Sequence, residues 1–131
     1  MAKRYTKRVG QVVKRYLLDT NTIIYALNQG FKFPKNEYFI SIITEIELFS
    51  YGKLTQKDEE ILKLALSSFK SIELTDRIKE ETIKIRKNSK IKLPDSIIVA
   101  TAIVQSAILV TSDKQLINSQ IVETISLEQL K

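Results

Sequence analysis

Short apolar runs alternate along the chain with longer stretches in which apolar residues recur at helical spacing. The runs have the length of buried strands, and polar or turn-forming residues separate them from the helical stretches. The strands predicted in this way lie at residues 12–18, 38–41, 71–74, 108–111 and 122–125. The predicted helices lie at residues 21–28, 43–52, 55–68, 76–88 and 94–106, with a terminal turn at 126–130.

This alternation predicts a single α/β domain with a central parallel sheet of about five strands and helices on both faces. A chain of 131 residues is an ordinary length for one domain. No apolar run reaches the roughly 18 residues of a membrane span. The basic N-terminus is not followed by the apolar segment of a secretory signal, so we expect a cytoplasmic protein.

The sequence contains no cysteine and no histidine. Disulfides, thiol nucleophiles, zinc sites built from Cys and His, and acid–base catalysis by histidine are therefore excluded. Any catalysis must use carboxylates, Lys, Tyr, Ser or Thr, or a metal ion. A site made only of oxygen ligands favours Mg²⁺ or Mn²⁺, and it also suits Ca²⁺.

The net charge of +6 comes from one end of the chain, because residues 1–15 carry six basic and no acidic side chains. Residues 16–131 carry fifteen of each and are formally neutral. We predict that residues 1–15 form a flexible basic arm outside a domain at 16–131. One function of such an arm would be to contact the phosphates of a nucleic acid. The favoured alternative is a solvated tail, or residues added by a misplaced start site.

Four acids are predicted at the carboxyl edge of the sheet: Asp19, Glu47, Asp95 and Asp113. Taken singly, each has a local explanation as a helix cap, a helix-dipole partner or a turn residue. Capping does not require all of them at one edge, which is where ligands bind in parallel α/β sheets. Carboxylates brought together there repel one another unless a divalent cation lies between them. The set therefore indicates metal-assisted chemistry on phosphate.

Four segments resemble the signature blocks of PIN-domain nucleases: LLDTN (17–21), SIITEIEL (41–48), LPDSIIVATA (93–102) and LVTSDK (109–114). The size and spacing are most similar to the VapC-type toxins of bacterial and archaeal toxin–antitoxin pairs. The resemblance runs from about Tyr16 to the C-terminus. The sequence departs from the family pattern at two places. The Gly that family members often have before the position of Pro94 is missing, and Asp113 is not followed by the acidic and aromatic residues that end the family's fourth block.

The resemblance implies a Mg²⁺- or Mn²⁺-dependent endoribonuclease that acts as the toxin of a type II toxin–antitoxin system and hydrolyses RNA through a metal-activated water. It implies a cognate VapB-like antitoxin as partner and a homodimer as the assembly. Glu47 is preferred over Glu45 because the family's acid directly precedes Leu. The implied catalytic and metal-binding residues are Asp19, Glu47, Asp95 and Asp113, with Asn21 and Thr111 as partners that hold these carboxylates in place.

Two other functions compete with this one. A non-catalytic RNA- or partner-binding PIN-like module would keep the fold without cleavage. A phosphatase that uses Asp19 as nucleophile is disfavoured, because position 21 is Asn where an Asp-x-Asp pair needs its second Asp. Five aromatic residues are candidates for contacts with the antitoxin, although aromatic residues at helical spacing more often pack in the core. These residues are Tyr25, Phe31, Phe33, Phe49 and Tyr51.

Overall fold

The structure is a computed structural model and describes residues 5–8 and 11–131, with side chains from Val13 onward. Its strands are β1 (Tyr5–Arg8), β2 (Gln11–Leu18), β3 (Glu37–Ser41), β4 (Lys70–Ile72), β5 (Ile108–Val110) and β6 (Thr124–Ile125). Its helices are α1 (Thr20–Gln29), α2 (Ile42–Phe49), α3 (Gln56–Leu66), α4 (Asp76–Asn88), α5 (Leu93–Val104) and α6 (Lys114–Ser119), followed by a 3-10 turn at Leu127–Gln129.

The sheet has the order β4-β3-β2-β5-β6, and every neighbouring pair on this path is parallel. The predicted α/β fold is therefore confirmed. The chain adds β3 and β4 on one side of β2 and then crosses to add β5 and β6 on the other. Strand order thus reverses at β2, and in open α/β sheets the crevice beyond the carboxyl ends at this point is where ligands bind.

Successive strand residues point to opposite faces of the sheet, so the domain has two apolar layers. Leu17, Phe39 and Leu109 pack with residues of α4, α5 and α6. Tyr16 and Leu18, one position away along β2, pack with α1, α2, α3 and the 3-10 turn on the other face. Both faces of the sheet are therefore covered by helices, as the sequence predicts.

The most apolar helix, α5, lies at the centre of its layer, with residues 96–102 all buried. Pro94 falls in its first turn, where a missing N–H costs no hydrogen bond. This turn is also the position of Asp95, so burial of the helix places a carboxylate beside the carboxyl edge of the sheet. None of the helices in the described part of the chain has the length and hydrophobicity that a membrane span needs.

The N-terminal segment differs from the prediction. Tyr5–Arg8 forms a strand that pairs antiparallel with residues 11–14, and β2 begins at Gln11. The first predicted strand, 12–18, therefore begins one residue late, and the strand at Tyr5–Arg8 was not predicted. Residues 1–4 and 9–10 lie outside the described residues, and the division into an arm at 1–15 and a domain at 16–131 stays a prediction.

Candidate active site

Asp19 lies where β2 ends and caps the N-terminus of α1. Its side chain is only 7% exposed. Its Oδ1 accepts a hydrogen bond of 2.8 Å from the amide of Thr22, and its Oδ2 accepts one from the hydroxyl of Thr111. Both oxygens of a buried carboxylate are thus satisfied, which fixes the position of the negative charge at the switch point.

Asp113 follows β5, the strand that pairs with β2, and caps α6. Its Oδ1 accepts hydrogen bonds from the amides of Gln115 at 2.8 Å and Leu116 at 3.2 Å. Its own amide donates to the Oγ1 of Thr111 at 3.0 Å. Because the same threonine donates to Asp19, Thr111 connects the two acids.

Asp95, in the first turn of α5, is half-buried, and its carboxyl has a raised pKa. The largest cause is burial, which disfavours the charged form. The negative charges of Asp113, Glu47 and Asp19, in that order, raise the pKa further, whereas Lys92 lowers it. Each of the other three acids is therefore close enough to Asp95 to act on its charge.

Glu47 lies on the exposed side of α2, and its Oε1 accepts a hydrogen bond of 2.6 Å from the hydroxyl of Thr20. The hydroxyl oxygens of Thr20 and the buried Thr44 are 3.0 Å apart. Glu45 turns away from this point and accepts a hydrogen bond of 2.6 Å from the hydroxyl of Ser71 in β4. Of the two candidate glutamates, Glu47 is thus the one placed with the aspartates.

The four acids line one cleft of about 290 Å³ at the carboxyl edge of the sheet. Asn21, which the sequence offered as a partner of the carboxylates, also lines this cleft. The remaining lining residues are Thr20, Ile24, Tyr51 and Ile98. A larger groove of about 400 Å³ adjoins it, but the only acid in that groove is Glu128, so the convergence of charge belongs to the smaller cleft.

The acids of this cleft fit a hard divalent cation in chemistry, because they offer only oxygen ligands and because three of them disfavour the charged form of Asp95. Across the described residues, no set of three or more acids is already positioned as the ligands of one ion. Asp19 and Asp113 instead direct oxygens to amide and hydroxyl donors of the protein. Binding an ion therefore requires these side chains to exchange or share those hydrogen bonds.

Two features of the site have no counterpart in the sequence prediction. The hydroxyl of Thr20 donates a hydrogen bond to Glu47, and the charge of Lys92 lowers the pKa of Asp95. The sequence could have indicated the role of Thr20, because this residue directly follows Asp19 and begins α1. Its hydroxyl therefore lies at the carboxyl edge of the sheet, beside the acids. Of the five aromatic residues proposed as contacts or core, Phe31, Phe33 and Phe49 pack in the core, whereas Tyr25 and Tyr51 are exposed.

Known structures resemble this fold over most of their length. One is a toxin–antitoxin complex from Klebsiella pneumoniae, with 29% identity, coverage of 85% of this chain and 96% of that chain, and a TM-score of 0.70. Another is VapBC2 from Rickettsia felis bound to a promoter DNA fragment, with 24% identity, coverage of 86% and 98%, and a TM-score of 0.73. A third is VapBC-1 from nontypeable Haemophilus influenzae, with 20% identity, coverage of 88% and 99%, and a TM-score of 0.71.

At 24% and 20% identity, the second and third likenesses concern the fold alone. A search of curated protein sequences finds no match. The profile of the PIN domain family, by contrast, matches residues 16–120. This match includes all four acids of the cleft, the end of β2 and every element from α1 to α6, and it shows that the chain belongs to the PIN domain family.

Proposed function

We propose that this protein is a metal-dependent endoribonuclease and the VapC-type toxin of a type II toxin–antitoxin system. The observation that carries the proposal is the meeting of Asp19, Glu47, Asp95 and Asp113 in one cleft at the switch point of the sheet. These acids come from four separate segments of the chain, and the charges of the other three disfavour the charged form of Asp95. A fold keeps such an arrangement at a cost, and binding of a cation would offset that cost.

Asp19, Asp95 and Asp113 would hold Mg²⁺ or Mn²⁺, with Glu47 bound directly or through water. The ion supplies Lewis acidity, which lowers the pKa of a water molecule and offsets negative charge on a phosphate. No histidine is needed for this chemistry, in keeping with a chain that has none. The oxygen-only donor set supports Mg²⁺ or Mn²⁺ over softer ions.

The residues of the chain would orient the reactants. Thr22 and Thr111 hold Asp19, and Thr20 holds Oε1 of Glu47. We assign to the other oxygen of Glu47 the role of orienting the attacking water and accepting its proton, because this side chain is the exposed member of the set. Lys92, beside Asp95, is positioned to attract the phosphate backbone.

The proposed partners follow from the same likenesses. The protein from Klebsiella pneumoniae is described as a toxin–antitoxin complex, and the proteins from Rickettsia felis and Haemophilus influenzae as VapBC assemblies. By analogy, we propose a VapB-like antitoxin that inhibits this protein by covering the acidic cleft beside the exposed Tyr51. A homodimer and a cytoplasmic location are part of this proposal.

Cleavage of RNA by the purified protein tests the catalytic part. We expect cleavage in Mg²⁺ or Mn²⁺, none in EDTA, and loss of activity in Asp19→Asn. Asp76→Asn is the matched control, because the side chain of Asp76 is 97% exposed on α4 and the variant removes the same charge away from the cleft. Binding of RNA without any metal-dependent cleavage would support the non-catalytic alternative instead.

A further inference from the structure

The larger groove beside the acidic cleft has a chemical character of its own. Its volume of about 400 Å³ falls within the range of small-molecule sites, about 300–1,000 Å³. It lies between α1, the segment after β5 and the C-terminal 3-10 turn. Its lining includes Asn21, Thr22, Tyr25, Ser112, Leu127 and Glu128.

The groove adjoins the acidic cleft. Asn21 lines both. Ser112 lies between Thr111, which is hydrogen-bonded to Asp19, and Asp113, so the wall of the groove is the same loop that positions the acids. If a phosphate of a nucleotide chain occupies the acidic cleft, the neighbouring nucleotide would therefore lie at this groove.

The groove is suited to a base and not to a phosphate. Among the described residues that line it, the only charged side chain is the acidic Glu128, which repels phosphate. Tyr25, one helical turn after Asn21, presents a ring that is 52% exposed. Thr22 and Leu127, which also line the groove, are buried. An aromatic ring next to hydrogen-bonding groups matches the flat faces and polar edge of a nucleobase.

We propose that this groove binds the base of the nucleotide next to the scissile phosphate, with the base stacked on Tyr25 and its edge facing Glu128. The inference rests on the proposed ribonuclease function and specifies its substrate at this position as unpaired RNA. A base inside a duplex is already stacked and paired, so it cannot enter the groove. Glu128 accepts hydrogen bonds, and it therefore favours a base that presents an amino group over uracil, which presents a carbonyl at the corresponding position.

Binding of short fluorescent RNA tests the subsite without relying on cleavage. The background is Glu47→Gln in Mg²⁺, because this variant removes the carboxylate assigned to the attacking water and keeps the three aspartates. We expect Tyr25→Ala to raise the Kd for a single-stranded hexaribonucleotide about 5- to 100-fold, the equivalent of one lost base–aromatic stack. Tyr25→Phe, which keeps the ring, should stay within about twofold of the background.

Ile83→Ala is the matched control, since Ile83 is 46% exposed on α4 on the opposite face of the sheet. A Kd for Tyr25→Ala no higher than that of Ile83→Ala would overturn the subsite. So would equal affinity for the same sequence in a duplex, or failure of every RNA to bind. Comparison of cytidine and uridine oligonucleotides tests Glu128: the preference for cytidine should disappear in Glu128→Gln, and its persistence would remove Glu128 from the subsite.

Cleavage by the unsubstituted protein, measured in parallel, separates this inference from the proposed function. Binding that depends on Tyr25, with no cleavage in Mg²⁺ or Mn²⁺, would defeat the ribonuclease and leave the base subsite standing. Metal-dependent cleavage with binding indifferent to Tyr25 would defeat only the subsite. Melting curves of the Tyr25 variants establish that they are folded, which the exposure of this side chain predicts.

Discussion

The hydroxyl of Thr111 donates a hydrogen bond to the carboxylate of Asp19, although 92 positions separate the two residues. The oxygen of that hydroxyl also accepts a hydrogen bond from the amide of Asp113. The short side chain of Thr111, directly after β5, thereby holds both the loop that follows this strand and the acid that follows the neighbouring strand β2. The relative position of two acids is set by the protein before any ion binds.

Replacement of Thr111 by Val should lower the free energy of unfolding by about 2 kcal/mol, because Oδ2 of a buried carboxylate loses its donor. Val has nearly the same shape, so little of this loss comes from packing. Urea unfolding of the metal-free protein measures it. Thr111→Ser keeps a hydroxyl and should retain most of the stability; an equal loss in both variants would mean that the methyl group, not the hydrogen bond, is responsible.

Replacement of Thr20 by Val should have a different profile, since its partner Glu47 is exposed. We expect a stability change of at most about 1 kcal/mol. If the proposed ribonuclease function holds, the rate of RNA cleavage should fall about 10- to 100-fold, as when other groups that orient metal-site carboxylates are lost. Initial rates at saturating RNA measure this effect. Thr20→Ser keeps the hydroxyl and should cleave RNA at nearly the rate of the unsubstituted protein. Undiminished cleavage by Thr20→Val would show that the hydrogen bond to Glu47 has no part in the reaction.

Local patterns were sufficient to predict the elements that have strong signals of their own. The bounds of α4, Asp76–Asn88, match the predicted helix 76–88, because Thr75 caps it and apolar residues recur at helical spacing behind the cap. The prediction failed for α6, which has six residues and a single buried side chain, Leu116. This helix depends on capping by Asp113, which the sequence presents as an ordinary turn residue.

The start of α2 and the partner of Glu47 depend on tertiary contacts that local sequence patterns do not contain. Thr44 and Glu47 have the spacing of a capping box, but α2 begins at Ile42 and is capped by Ser41, because β3 ends there. Thr44 is instead buried next to Thr20. The hydrogen bond between Thr20 and Glu47 joins residues 27 positions apart, and no spacing rule along one helix or strand could reveal it.

Removal of the charge of Asp95 should stabilise the metal-free protein while destroying the proposed activity. The pKa of Asp95 is raised by burial and by three neighbouring acids, so its charged form is disfavoured in the folded state. We expect Asp95→Asn to gain less than about 1 kcal/mol, since the side chain keeps part of its solvent and solvent screens the repulsion. Asp76→Asn, on the exposed surface, should gain nothing.

The gain should also depend on pH in a defined direction. Because its pKa is raised, Asp95 takes up a proton at a higher pH in the folded state than in the unfolded state. At neutral pH the side chain is charged in both states, and this charge lowers the free energy of unfolding. This loss is relieved as pH falls through the folded pKa towards the ordinary value for Asp. The difference in unfolding free energy between Asp95→Asn and the unsubstituted protein should therefore shrink as pH is lowered from 7. A constant difference would count against charge repulsion as its cause.

A divalent ion should raise the melting temperature of the unsubstituted protein, because an ion that binds only the folded state stabilises it by mass action. At a free concentration one hundred times the Kd, the gain is about 2.7 kcal/mol. Titration with Mg²⁺ and Mn²⁺ during thermal unfolding measures this. The shift should be lost in Asp95→Asn and retained in Asp76→Asn. An equal shift in Asp95→Asn would place the ion outside the acidic cleft.

The basic N-terminal segment should not contribute to cleavage of a short RNA. Residues 5–8 pair with residues 11–14 of β2, whereas Asp19 follows the other end of that strand. Asp19 lies five positions after Lys14, a distance of about 16 Å at roughly 3.3 Å per residue. Replacement of Lys3, Arg4, Lys7 and Arg8 by Gln should therefore leave the cleavage rate of a hexaribonucleotide unchanged. With a longer RNA, the logarithm of the binding constant can be measured against the logarithm of the salt concentration for both proteins. A slope that is shallower in the substituted protein, by about 0.7 per lost phosphate contact, would show that the N-terminal segment is a second contact for RNA.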